Sequence, residues 1–434
     1  MKLKLKKLYQ PKYLLLAILL TTAFLRLYRL DYPNQYVFDE VYHAYTAKEY
    51  LKGNKDAWSP WGKSEPGVAF EWLHPPIEKE LMTTSMFILR NTDAWAYRLP
   101  GALLGILSVF LVFKLALLLF KNEAVGLGSA LVFSVDGLVF VQSRTGMNDV
   151  YLVAFILISV IFFVQQRYLF SALFMGIALA TKWPGIFLAA MYFPILFYKR
   201  QFKSLIYFVL IPPAIYLLSY VPYFLIGYRW NDFIELHRQI WWYQTHLKAT
   251  HNYASPWWSW PLNLYPIWYF VDYKGENIAN IFSSGNPVVF WGGGVAILLT
   301  AWGVFQEITK NLWRFFVKKG FDLITIVNYL TDALNKPISI VLLGYFIFWL
   351  PWAISPRIMF LYHFSPSVPF LSMALGYQLH KIYQHRQGKK LVIMILSMMV
   401  IGFIIIFPFL TGIPIPKQYV NLFFITNITR NPFQ

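Results

Sequence analysis

Apolar runs long enough to cross a bilayer recur along the whole chain, and they restrict its fold more than any other feature. A bilayer core offers no water to satisfy peptide groups, so such runs must be helices bundled together. The expected architecture is all-α and polytopic. About eleven spans are predicted, near 13–30, 98–120, 124–142, 149–166, 168–182, 184–198, 204–226, 288–306, 337–354, 364–381 and 391–410. Only Lys182, Trp183 and Pro184 separate the fifth and sixth spans, which read as either two short helices or one broken helix. Charged residues make up 13% of the chain, where a soluble domain carries roughly 25%.

The charges set the orientation. A net charge of +18 would suggest nucleic acid in a soluble protein. Here the basic residues sit in short loops between apolar runs, as topology control requires, and nucleic acid is excluded as a partner. With the N-terminus in the cytoplasm, the cytoplasmic loops hold Lys121, Arg167, the Lys199–Arg200–Lys203 group, five basic residues across 310–336, and the 381–390 stretch. Ten of the twenty acidic residues fall in the external segment 31–97. The start, MKLKLKK, resembles a signal peptide. No small-residue cleavage site follows it, and Arg26 and Arg29 interrupt the far end, so an uncleaved first helix is expected. With no cysteine in the chain, neither disulfides nor thiol chemistry enter.

A single membrane-embedded domain over 1–434 is expected, with two long external segments, 31–97 and 227–287. Their Trp and Tyr density suits amphipathic pieces at headgroup level. The stretch 307–336 reads as an interfacial cytoplasmic helix.

Adjacent carboxylates, Asp39 and Glu40, follow the first span in VFDEVYHAYTAKEY. They either begin a capped interfacial helix or place a general base at the membrane face. In EWLHPPIEKELM, His74 is either a structural hydrogen-bonding residue or one that orients a substrate. Arg98, in AYRLPGALLGIL, either snorkels or pairs with a lipid phosphate. Asp136 falls inside the third span, where an ionisable group either serves function or bonds a neighbouring helix. Arg144 and Asp149 bracket an external turn, and Asp149 is either a second site acid or a helix cap. Lys182, in ALATKWPG, and Arg357 with His363, in SPRIMFLYHFSPSVPFL, either hold an anionic phosphate or belong to ordinary interfacial turns. No single motif decides the matter. The gathering of acids and cations on one face is what points to group transfer.

These motifs, with YASPWWSWPL, occur in family order from near residue 38 to near residue 382. The chain thereby resembles the protein O-mannosyltransferases, the dolichyl-phosphate-mannose–protein mannosyltransferase family. The resemblance implies a GT-C fold with amphipathic helices in the first external loop. It implies an inverting transferase on the extracytoplasmic side, moving mannose from a polyprenyl-phosphate-mannose donor to Ser or Thr of acceptor proteins. The family's Asp–Glu pair falls on Asp39 and Glu40, taken as catalytic, with Asp39 expected to be the base and Glu40 to orient the acceptor or the local helix. Its arginine before Leu-Pro falls on Arg98 and its late arginine on Arg357, with His363 beside it. With Lys182, these three form the expected phosphate-binding set. His74, Arg144, Asp149 and Asp136 are left as acceptor-binding or supporting residues. Two departures appear: no β-rich MIR module in the late loop, and IEKEL where the family more often has Leu-Gly-Lys. The minimal size resembles a bacterial-type form in a cell membrane. No metal and no cofactor are expected, the lipid-linked sugar being itself the donor. Eukaryotic relatives pair, so an oligomer stays open. Two other readings remain: a related transferase moving another lipid-linked sugar, such as aminoarabinose, and a transporter. The transporter would need mid-membrane polar groups and repeat symmetry that the chain lacks.

Overall fold

The computed structural model describes residues 10–319 and 336–423. The first helix, α1 (Pro11–Leu27), leads into a loop with a 3-10 turn at Phe38–Val41, then α2 (His43–Leu51) and α3 (Ile77–Leu89). The bundle follows with α4 (Ala94–Phe120), α5 (Glu123–Ser134), α6 (Gly137–Gln142), α7 (Asn148–Val164), α8 (Tyr168–Leu179), α9 (Leu188–Tyr198) and α10 (Phe202–Leu218). Next come α11 (Val221–Leu225), the amphipathic α12 (Trp230–His246), and a hairpin of β1 (Ile267–Lys274) and β2 (Asn277–Ser283). The chain closes with α13 (Pro287–Lys319), α14 (Pro337–Trp349), α15 (Val368–Tyr383), α16 (Gly388–Thr411), β3 (Ile415–Pro416) and α17 (Lys417–Phe423).

Among the described residues, four helices are long and apolar enough to cross a membrane: α4, α13 up to Lys310, the stretch 337–354 and α16. Five shorter apolar helices pack among them. Several expected spans are broken. The predicted 124–142 span divides at Asp136, whose carboxylate caps α6 by accepting from the Val139 amide at 2.8 Å. The 168–198 question resolves into two helices, α8 and α9, separated by a 3-10 turn at Trp183–Phe187. The α13 helix runs well past the predicted end of its span. Residues 320–335 of the expected cytoplasmic stretch lie outside the described residues.

The α7 helix is apolar all round, NDVYLVAFILISVIFFV, and is correspondingly almost wholly buried. It packs between α4 and α8, while α5 lies against α15. There Gly376 permits close approach: a Cβ would stand 2.4 Å from the Ser129 hydroxyl. Large apolar side chains such as Phe24, Leu210, Leu298 and Ile404 cover the outer faces, as a lipid-facing surface requires.

Candidate active site

The two adjacent acids have opposite fates. Glu40 is fully buried and saturated with hydrogen bonds. Arg98 grips it with Nε at 2.7 Å and Nη2 at 2.7 Å. Tyr97 Oη donates at 3.3 Å, the Val37 amide at 2.9 Å and the Gly146 amide at 2.8 Å. A Cβ at Gly146 would stand 3.1 Å from Glu40 Cγ, so only glycine brings its amide this close without displacement. Of the roles expected for Glu40, orienting the acceptor is corrected, since its carboxylate is fully engaged within the protein, and it holds the local structure instead.

Arg98 is corrected likewise. Its Nη1 donates to the carbonyls of Leu30 and Pro33, and its Nη2 also to that of Gln35. All five guanidinium protons are thus committed, and the residue is 1% exposed. Arg98 fixes the loop between α1 and α2 to the head of α4 and has no donor left for a phosphate.

Asp39 stays available. Its carboxylate has no hydrogen-bond partner among the described residues and keeps partial exposure. Phe38, just before it, is left-handed with φ +48, a conformation that costs a non-glycine residue on the order of 1–3 kcal/mol. Phe38 is held there by stacking on Tyr269 at 4.3 Å and 6°. Burial pushes the Asp39 carboxyl from the usual 3.8 up to about 6, against the pull of His43 and Lys182, with Glu71 and Asp149 adding to the rise. A carboxyl so poised suits general-base work near neutral pH.

A cleft of about 270 Å³ is lined by His74, Lys182, Arg357, His363, Gln244 and Trp352 among others; Asp39 does not line it but feels the charge of Lys182. Lys182 is buried, 2.8 Å from Asp149 Oδ1 and 3.1 Å from Asn148 Oδ1. Asp149 Oδ2 and Asn148 Nδ2 are buried without partners among the described residues. Asp149 lies in the first turn of α7, where the helix dipole favours an acid. Arg357 bonds Gln244 and the Ile358 carbonyl. His363 sits against Trp352 at 4.3 Å, its Nδ1 within hydrogen-bond distance of both backbone groups of Phe360. Burial, then the charges of Lys182 and Arg357, push His363 well below the usual histidine range. Burial and Lys182 do the same to His74. Both are neutral hydrogen-bonding groups rather than cations.

Trp183 and Ile186 carry the cleft into an apolar groove of about 490 Å³ that also touches Leu179, Pro213 and Leu217. Arg144 and Asp136 do not line this cleft. Arg144 donates to the carbonyls of Leu25 and Arg26 at 2.8 Å and of Arg29 at 3.3 Å, which closes the C-terminus of α1.

Three contributors escaped the sequence reading. His43, at the start of α2, pairs with Glu78 at 3.1 Å and stacks near His74 at 6.1 Å. Burial lowers the His43 pKa, but Glu78 outweighs it and the net shift is upward. Glu71 accepts from the His74 amide at 2.8 Å. Gln244, on the amphipathic α12, reaches the cleft through tertiary packing alone. Among the described residues no three His, Cys, Asp or Glu side chains gather as a metal site would need.

Solved structures share this architecture. The Saccharomyces cerevisiae Pmt1–Pmt2 protein O-mannosyltransferase complex bound to its sugar donor superposes with TM-score 0.76 over 95% of this chain and 91% of that one, at 16% identity. ArnT of Cupriavidus metallidurans bound to undecaprenyl phosphate gives 0.52 over 88% and 62%. The Archaeoglobus fulgidus oligosaccharyltransferase gives 0.54 over 92% and 56%. The fold is therefore that of the GT-C membrane glycosyltransferases. The family model for dolichyl-phosphate-mannose–protein mannosyltransferase matches residues 16–244. That for the C-terminal four-transmembrane region of protein O-mannosyltransferase matches 229–426. The chain belongs to the protein O-mannosyltransferase family. The polyprenol-phosphate-mannose–protein mannosyltransferase of Mycobacterium tuberculosis is 25% identical over 92% of this chain and 88% of its own length. That of Mycolicibacterium smegmatis is 24% identical over 89% and 86%.

Proposed function

We propose that this chain transfers mannose, with inversion, from a polyprenyl-phosphate-mannose donor to Ser or Thr hydroxyls of proteins on the extracytoplasmic face. The observation that carries this reading is a carboxylate at Asp39 without a hydrogen-bond partner among the described residues, raised in pKa and within electrostatic reach of Lys182, which lines a cation-bearing cleft that opens into an apolar groove. The groove takes the polyprenyl tail. Lys182 and Arg357 hold the phosphate, and His363 and His74 add neutral hydrogen bonds. The unpartnered atoms of Asn148 and Asp149 bond sugar hydroxyls or phosphate oxygens. The acceptor oxygen attacks the anomeric carbon as its proton passes to Asp39. The bond from that carbon to the phosphate oxygen breaks, and the phosphate leaves with the electron pair, its charge met by the two cations. One base suffices for a single displacement. No metal is assigned a step.

Purified protein given polyprenyl-phosphate-mannose and Ser/Thr peptides should yield mannosyl-peptide by mass spectrometry. Transfer only of another lipid-linked sugar, or only to a glycolipid, would favour the related-transferase reading.

The pH profile follows from Asp39. The base works ionised, so kcat/KM should fall about tenfold per unit below pH 6 and level off above it. A profile flat from pH 5 to 8 would remove Asp39 from that role.

Arg357→Ala should raise the donor KM roughly 10- to 100-fold, the worth of one charge-assisted hydrogen bond of about 1.5–3 kcal/mol. Arg357→Lys should recover part of that loss. Equal donor KM in wild type and Arg357→Ala would place the phosphate elsewhere.

A further inference from the structure

The β1 strand is an edge strand. The sheet order is β1–β2–β3, and among the described residues the β1 backbone bonds only to β2. Its outer side is exposed at Val271 and Tyr273. A free edge of this kind is a template for another extended chain, and proteins normally cover or blunt it. Among the described residues no backbone group bonds to the outer edge of β1 at 269–273, next to the loop that carries Asp39. The register of β1 slips between Trp268 and Phe270. That bulge turns Tyr269 inward onto Phe38, the residue before Asp39. An aromatic wall continues outward: Phe38 meets Tyr362 at 6.2 Å, Tyr362 meets Phe360 at 5.3 Å, and Phe360 meets His251 at 5.2 Å. His251 belongs to an exposed loop.

We infer that the acceptor polypeptide binds in extended form along the free edge of β1, adding a strand to the sheet and leading its hydroxyl residue to Asp39. This rests on the proposed protein-mannosyl transfer and deepens it. A sheet edge offers alternating N–H and C=O groups, which a polypeptide backbone matches and a glycan or lipid does not. Val271 stands about 7 Å along the strand from Tyr269, at roughly 3.3 Å per residue. A peptide paired at Val271 therefore has a residue two positions on within reach of Asp39. Recognition through backbone groups tolerates varied acceptor sequences and requires an unfolded acceptor.

The test uses the full-length protein in detergent with polyprenyl-phosphate-mannose and one Ser-containing peptide. Val271→Pro removes an outward N–H, and edge strands tolerate proline. It should raise the peptide KM at least tenfold and leave the donor KM within twofold. With wild-type enzyme, N-methylating the peptide at alternate residues should do the same in one register and nothing in the other. Unchanged KM for both N-methylated registers overturns the inference, as does an unchanged KM in a folded Val271→Pro protein. Loss of self-association in Val271→Pro with normal peptide KM assigns the edge to a second copy and also overturns it. If wild type mannosylates no peptide but does modify another acceptor, the proposed function itself fails.

Discussion

Asp39→Asn should abolish mannosyl transfer while the protein folds at least as well as wild type. Removing a general base costs about 10²–10⁴-fold. The upper end applies here, because the carboxylates around Asp39 are each engaged: Glu40 is gripped by Arg98, Asp149 pairs through Oδ1 with Lys182, and Glu71 accepts from the His74 amide. The stability side follows from the same carboxyl. Its pKa rises on folding from 3.8 to about 6. For an acid this is a burden that is absent below pH 3.8, grows between 3.8 and 6, and is complete above 6. At neutral pH it amounts to roughly 3 kcal/mol at most. Asn carries no such charge, so the thermal midpoint in detergent at pH 7.5 should hold or rise, and the gain should vanish near pH 4. Donor binding, measured with labelled polyprenyl-phosphate-mannose, should persist. Activity within tenfold of wild type would take the base role from Asp39. A fall in the midpoint with lost activity would recast the residue as structural.

The legible part of this chain was set by local chemistry. Apolar runs announced the helices because lipid forces backbone bonds to close within each segment. Asp39, Lys182 and Arg357 stand out because acids and cations gather on one face of an otherwise apolar chain, where scattered interfacial charges would not need both signs. Sequence put Asp39 forward as the base and Glu40 as its support, but it could not show what holds Glu40. Two neighbouring acids on a 3-10 turn point in different directions, and which one meets Arg98 is decided by residues 58 and 106 positions away, Arg98 and Gly146. Arg98 misled for the same reason. An arginine at the mouth of a span looks the same whether its fork meets a phosphate or three loop carbonyls. Helix breaks such as that at Asp136 were also illegible, since hydropathy averages over a single buried cap. The hairpin went unseen because IWYFVDYK and NIANIFS are apolar enough to pass for interfacial helix, and the Gly275–Glu276 turn between them is short.

Arg98→Met should destabilise the protein by about 3–5 kcal/mol, the usual cost of stranding one member of a buried pair. Glu40 would keep a buried charge with only the Tyr97 hydroxyl and the Val37 and Gly146 amides around it. The carbonyls of Leu30, Pro33 and Gln35 would lose their donor together. Activity should fall with stability, because the segment 30–40 carries Asp39 into place. The donor KM of whatever fraction remains folded should stay near wild type, since Arg98 does not reach the cleft. A phosphate-binding arginine would give the opposite pattern, a raised donor KM with an unchanged thermal midpoint. The double replacement Glu40→Leu with Arg98→Met separates charge from geometry. Removing both charges relieves the stranded carboxylate, so part of the lost stability should return. The return should be incomplete, because the three carbonyls and the two amides remain without partners, at about 1–3 kcal/mol for each group left buried. Should Arg98→Met cost less than 1 kcal/mol, the range of an exposed ion pair, then the Glu40–Arg98 contact does not hold the loop, and the division of labour between the two acids loses its structural basis.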